Sequence, residues 1–212
     1  LQSVAAKYGL TTYTYDRLDR VLTTTERVGA GTATESIQYS DSNGNRFNKR
    51  VTNKLNGTAI FTTDRLGRTT SETLPTTVIN SYQYDAFGNR TVTIEAQGLV
   101  EQRTTTYRYD KAGRVTYRIG QAYTALNGSA LTTSTVVPVE QTIYDALGRA
   151  VETRKAANWD GSNAVGGSRT LNWFDAQDHL VAQLAADGAY TAYTRDAAGN
   201  RMVETAYATR LG

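Results

Sequence analysis

Eight times along its 212 residues this chain sets down an Asp, two variable residues, usually a Gly, and then Asn, Arg or His. Aromatic residues crowd the first and third positions before the Asp. The clearest copies read Tyr82-Gln-Tyr84-Asp85-Ala-Phe-Gly88-Asn89 and Tyr107-Arg-Tyr109-Asp110-Lys-Ala-Gly113-Arg114. The repeated residues are Asp16, Asp41, Asp64, Asp85, Asp110, Asp145, Asp175 and Asp196, separated by 25, 23, 21, 25, 35, 30 and 21 residues. Such a period constrains the fold more than any other feature, because each unit must be a small element that buries its surface against neighbours of its own kind.

The aromatic bias fixes the register. Of the sixteen positions one and three before the eight Asp residues, ten are aromatic: Tyr13, Tyr15, Phe61, Tyr82, Tyr84, Tyr107, Tyr109, Tyr144, Phe174 and Tyr193. Residues two apart on a strand share a face, so a well-formed repeat sends a Tyr pair to one side of a sheet just before a turn. In Asp-x-x-Gly the carboxylate accepts backbone N–H groups two or more residues on, and Gly at the fourth position tolerates the positive φ that closes a type I turn through a bulge. Gly44, Gly67, Gly88, Gly113, Gly148 and Gly199 fill that position, while Asp19 and Asp178 replace it in two copies. Asp is among the few other residues that enter the left-handed region cheaply.

After each turn the sequence alternates as a strand does, in Thr91-Val-Thr-Ile94 and Val115-Thr-Tyr-Arg-Ile119. Thr is the commonest residue, at 34, and the only prolines, Pro75 and Pro138, stand between repeats. A 21-residue period holds two strands of about six residues, the turn and a short return loop. The expected fold is all-β: about eight antiparallel hairpins and about sixteen strands in a single array over 1–212. The stretch His179 to Ala186 has helix-forming composition, but its place after a turn argues for strand. The chain reads as a fragment of a longer polypeptide. Two regions break the rhythm. Gly120 to Ser129 reads as an enlarged hairpin with an Asn127-Gly128 turn, and Asn158 to Ser168 as a surface loop by composition.

The remaining composition closes off several functions. Hydrophobic content of 39% with 20% charge is lean for a compact globule and sufficient for repeat packing. Cysteine is absent, so no disulfide, thiolate metal site or Cys nucleophile exists. A net charge of +3 with dispersed Arg lacks the clustered basic stripe of a nucleic-acid binder. No segment has the apolar length of a membrane span. The only His, His179, occupies the Asn/Arg slot of a turn, and no nucleophile elbow, phosphate loop or His-Glu-x-x-His motif is present, so no catalytic residue and no cofactor is expected. Asp41-Ser-Asn43-Gly44-Asn45 opens like a calcium loop, but Arg46 and Thr52 stand where Gly and Glu are needed, so no metal site is expected. Trp159, on the second irregular segment, is the one candidate ligand contact. The alternative for it is a ring folded back against its own hairpin.

Taken together, Tyr-x-Tyr-Asp-x-x-Gly-Asn/Arg in Tyr82 to Asn89, Tyr107 to Arg114 and, less fully, Tyr144 to Arg149 resembles the YD repeat of the Rhs family, which includes bacterial Rhs polymorphic toxins, the C components of Tc toxins and teneurins. The resemblance runs from Tyr13 to Arg201, with degenerate copies at Asp41, Asp175 and Asp196. It implies a strip of β-hairpin spiral belonging to a hollow shell, exported or displayed at the cell surface, whose partners are the rest of its own polypeptide, an enclosed C-terminal toxin domain and a delivery component. The Asp-Pro-containing segment that closes the shell in that family is missing here, since neither Pro follows an Asp.

Three functional classes stay open at this point: a structural shell segment, an extracellular module binding carbohydrate or protein, and a carbohydrate-active enzyme. Every motif found is architectural, and that favours the first. Glycosidase chemistry needs two carboxylates set apart from the rest, and an Asp repeated at eight turns sets none apart.

Overall fold

The computed structural model describes residues 10–42, 45–127 and 132–207, with backbone alone for 40–42, 45–48 and 127. The chain is all-β. Its strands are β1 (Thr11–Tyr15), β2 (Val21–Val28), β3 (Gly31–Ser42), β4 (Asn45–Thr52), β5 (Thr58–Thr63), β6 (Thr69–Thr73), β7 (Ile79–Tyr84), β8 (Arg90–Glu95), β9 (Arg103–Tyr109) and β10 (Val115–Gly120). They continue as β11 (Tyr123–Asn127), β12 (Thr132–Val136), β13 (Val139–Tyr144), β14 (Ala150–Ala156), β15 (Asn158–Trp159), β16 (Ala164–Val165), β17 (Ser168–Phe174), β18 (Leu180–Leu184), β19 (Tyr190–Arg195) and β20 (Arg201–Tyr207). Sixteen of them form one antiparallel sheet in chain order, while β11-β12 and β15-β16 are separate two-stranded hairpins. The helix-forming stretch after His179 is β18. Within each compact unit, consecutive hairpins put alternate connections on opposite rims, so its Asp turns share one rim and its return connections the other.

Two compact units lie within Leu1–Gln83 with Thr93–Arg103 and within Tyr84–Val92 with Thr104–Gly212. In the first, one sheet face is a hydroxyl zipper. Cross-strand partners Thr14 and Thr23, Thr25 and Thr34, and Thr52 and Thr58 bond side chain to side chain at 2.7, 2.9 and 3.1 Å. Its other face carries Ile37, Val51 and Ala59 in register across β3, β4 and β5. Threonine suits this wet face because its β-branch stiffens the strand while its hydroxyl finds a cross-strand partner.

The second unit holds the packed core. Val139, Ala164, Ala156 and Ile119 are buried, with Tyr117, Val137 and Trp159 packed around them. On the same face Trp173, Tyr190 and Tyr207 line up across β17, β19 and β20, with ring centroids 6.2 and 5.2 Å apart. Both irregular segments leave the sheet at the return rim. The first is the hairpin β11-β12, whose expected Asn127-Gly128 turn lies partly outside the described residues. The second departs from the expected loop: Asn158 to Val165 is a short hairpin, closed by Asp160, whose Oδ1 accepts the N–H groups of Ser162 and Asn163 at 2.7 and 2.6 Å.

Candidate functional site at the turn rim

Each described Asp turn is built alike. At Asp110 the main chain closes with its N–H on the Arg114 carbonyl at 3.0 Å and the Gly113 N–H on the Asp110 carbonyl at 3.1 Å. One carboxylate oxygen, Oδ1, accepts the N–H groups of Ala112 and Arg114 at 2.9 and 3.0 Å, and Oδ2 accepts Arg114 Nε at 2.7 Å. The same set recurs at Asp16, Asp64, Asp85, Asp145, Asp175 and Asp196, with Arg, Asn or His as the fifth residue. The fourth residue has positive φ throughout, including Asp19 at 57° and Asp178 at 67°. A register shift just before five of these turns supplies the bulge. Asp41 falls within β3 with its side chain undescribed, and Gly44 and the calcium-like stretch around it lie outside the described residues.

These bonds hold the carboxyls ionised. At Asp110 and Asp145 the backbone N–H of the fifth residue is the first cause, and its guanidinium adds to it, so both carboxyls sit below the ordinary value of 3.8. At Asp85 and Asp196 the Asn side chain leads instead.

The fifth residue does more than close its own turn. In the second unit it lies against the fourth residue of the next turn: a Cβ added to Gly148 would stand 2.9 Å from Arg114 Nη1, one on Gly199 would stand 2.9 Å from His179 Nε2, and one on Gly113 would stand 3.4 Å from Asn89 Oδ1. Gly148 therefore serves twice, through its φ of +90° and through the space its missing side chain leaves. Where the Gly is replaced, the contact becomes an ion pair, Arg149 Nη1 to Asp178 Oδ1 at 3.0 Å. Arg149 also donates to the Asp175 carbonyl at 2.7 Å.

The aromatic positions complete the junction. The Arg114 guanidinium stands 4.5 Å from the centroid of Tyr144, and Arg149 stands 5.1 Å from that of Phe174, the aromatic just before the next Asp in each case. At these junctions guanidinium and ring alternate. Within hairpins, Arg201 faces Tyr193 at 4.2 Å and Arg90 faces Tyr84 at 6.0 Å. Tyr13 and Tyr15 are exposed, 6.4 Å apart, Phe61 pairs across strands with Lys49, and the Tyr82 hydroxyl donates to Glu72 at 2.6 Å. Tyr107 lies opposite Arg118 in the β9–β10 ladder.

A second stitch repeats at every junction of this unit. At β10–β13, β14–β17 and β18–β19 the ladder between hairpins stops short of the Asp rim, so Val115, Ala150 and Leu180 pair along the strand only within their own hairpins. The carbonyl of the residue after each turn is taken by a side chain from the next repeat: Arg90 by the Tyr109 hydroxyl at 2.6 Å, Val115 by the Tyr144 hydroxyl at 3.1 Å, and Leu180 by Arg195 Nη2 at 3.2 Å. Phe174 has no hydroxyl, and Asn172 two residues earlier takes the equivalent Ala150 carbonyl at 3.0 Å. Burial, with Tyr107 and the Asp85 carboxylate adding to it, raises the Tyr109 phenol, which keeps it a donor.

Trp159 packs against the buried cluster that includes its cross-strand partner Ala164, and its ring also reaches neighbouring repeats, meeting Tyr117 of β10 edge-on at 5.1 Å and lying 4.8 Å from the Arg108 guanidinium of β9. Arg108 also donates to the Gly161 carbonyl at 3.0 Å, tying the hairpin down.

Three turns were missed by sequence reasoning. The return connections at Asn53, Leu74 and Ala185 have the same five-residue geometry as the Asp turns, with closing bonds of 2.9, 2.8 and 2.8 Å. Asn53-Lys-Leu-Asn56-Gly57 carried a readable signal, since Asn53 Oδ1 accepts the same two N–H groups as an Asp would.

Fold and site together define a β-hairpin repeat array stitched along one rim. The RHS Repeat family model matches residues 64–100 and 174–210, which contain Asp64, Asp85, Asp175 and Asp196. No curated protein matches the sequence. Among solved structures, a chain of a TcdB2-TccC3-Cdc42 crystal structure superposes with a TM-score of 0.55 at 17% identity, over 93% of this chain and 12% of that one. A chain of the Photorhabdus luminescens Tc holotoxin pore, with a mutated TccC3, superposes with a TM-score of 0.54 at 16% identity, over 93% of this chain and 11% of that one. The likeness is one of fold, and this chain spans about an eighth or less of either neighbour.

Proposed function

We propose that this chain is a wall segment of an Rhs-type β-shell, part of a longer exported or surface-displayed polypeptide that encloses or scaffolds a C-terminal toxin domain outside these residues. Its partners on this reading are the rest of its own wall, the enclosed domain and a delivery component. The role is architectural rather than catalytic. The observation that carries it is the stitch: at four successive junctions a side chain of one repeat donates to a backbone carbonyl of the one before. A sheet one layer thick has little core to hold it, so contacts that lock neighbours in register are what a wall needs. Trp159 is engaged within the chain, which supports this reading over an adhesin presenting that ring. Limited proteolysis of the parent polypeptide tests it. The C-terminal domain should resist cleavage in the intact protein and become accessible when Asp110, Asp145 and Asp175 are all replaced by Ala. Cleavage of that domain at the rate of the free domain would overturn the reading.

A further inference from the structure

A cavity of about 380 Å³ lies in the second unit where the β14–β17 ladder runs out, at and beyond its last pair, Glu152 and Leu171. Its walls are apolar and partly aromatic: Ile143, Val151, Leu171, Trp173 and Phe174. Ile143 and Trp173 are 40 and 44% exposed, so the wall they form meets water. The polar groups around the same cavity are already engaged. Arg149 is paired with Asp145 and Asp178, Asn172 donates to the Ala150 carbonyl and accepts from Gln183, and Glu152 is paired with Arg154 at 3.2 Å. What remains is apolar surface, in a volume at the lower end of small-ligand sites, which span about 300–1,000 Å³.

One cation beside the cavity is not engaged. Arg169 stands directly opposite Arg154 in the β14–β17 ladder, and like charges so placed destabilise a sheet. Arg154 is turned to Glu152 and to the Ala164 carbonyl at 3.4 Å. Arg169 is exposed and has no hydrogen bond, ion pair or ring contact among the described residues. Arg169, Leu171 and Trp173 alternate along β17 onto one face. The free charge therefore starts about 7 Å from the apolar wall, within reach of an Arg side chain. With Glu152 and Arg154 cancelling, Arg169 leaves a single positive charge at this end of the groove.

We propose that the groove is a binding site for a small aryl monoanion, a carboxylate or sulfonate whose ring lies against Leu171 and Trp173 and whose oxyanion is held by Arg169 opposite Arg154. The ring removes the apolar wall from water, and the oxyanion relieves the Arg pair, whose planar donors match a carboxylate or sulfonate. A neutral ring gains only the first of these. The site goes beyond the architectural role and needs neither the rest of a wall nor an enclosed domain.

Anilinonaphthalene sulfonate, an aryl monoanion that fluoresces when removed from water, is titrated into the chain in parallel with phenylnaphthylamine, the same ring system without the sulfonate. Arg169→Gln should weaken the anionic dye about fivefold and the neutral one by less than about twofold, and Arg17→Gln, the same charge change in the first unit, should alter neither. Trp173→Ala should weaken both dyes about tenfold. Arg169 is exposed and its replacement leaves the sheet intact, so the charge comparison stands whatever Trp173→Ala does to the fold. Equal losses for the two dyes in Arg169→Gln, or no loss for the anionic one, would overturn the proposal. So would a Trp173→Ala variant that binds both dyes as the parent does, or a parent chain that binds neither.

Discussion

The two rims of this sheet use one backbone turn and put it to different ends. On the return rim the turn at Leu74 closes with bonds of 2.8 and 2.8 Å, and the one at Ala185 with 2.8 and 3.0 Å, without a carboxylate at the first position. On the Asp rim the same bonds are present, and Asp adds three more. The comparison teaches that the carboxylate is not needed to form the turn. What it adds is a grip on the fifth residue, which is thereby aimed at the next repeat. On the return rim the fifth residues Gly57, Val78 and Ala189 offer no polar side chain to grip, and the connections vary, from the tight Gly29-Ala30 reversal to the inserted hairpins β11-β12 and β15-β16.

Acid should separate the rims most strongly. The turn carboxyls have depressed pKa values in the folded chain, so their stabilisation is complete above the ordinary Asp value of 3.8 and is lost as pH falls through the lower folded values. Urea midpoints measured downward from pH 5 should drop steeply below about pH 4, and Asp110→Ala should flatten that slope. A midpoint independent of pH in this window would mean that the carboxylates contribute nothing.

Glycine substitutions come next. Gly148→Val places a β-branched residue at a φ of +90° and drives it into Arg114, whereas Gly98, on the return rim at a φ of +81°, has no atom within 4 Å of an added Cβ. The first should lose about 2–4 kcal/mol and the second about 1–2 kcal/mol by urea denaturation. Equal losses would remove the close-contact role assigned to the Asp-rim glycine. Smaller still is Tyr144→Phe, which deletes only the hydroxyl bonded to the Val115 carbonyl, for about 0.5–1.5 kcal/mol. Asn172→Ala should match it, because it serves the equivalent carbonyl of the next junction.

The Asp rim was largely legible from the sequence because its chemistry is local: carboxylate, bonded amides and left-handed residue all fall within five positions. The return rim was not. Leu74-Pro75-Thr76-Thr77 has neither Asp nor Gly, and Thr77 adopts a φ of 67° that its β-branch disfavours. The junctions were hidden for another reason. Arg149 and Asp178 are 29 residues apart, and only the fold shows that the Asp in a glycine slot faces an Arg. Trp159 was obscured by the Gly, Ser and Asn around it, which read as loop, while its partner Tyr117 lies in a different repeat.

That the Asp rim couples one repeat to the next is tested most directly by a double-mutant cycle on Arg114 and Tyr144, whose guanidinium and ring lie 4.5 Å apart across a junction. Arg114→Leu, Tyr144→Leu and the double variant are compared with the parent by urea denaturation. The account predicts a coupling of about 0.5–1 kcal/mol, with the double variant losing less than the sum of the singles. Strict additivity would contradict it, leaving seven described turns that do not hold one another.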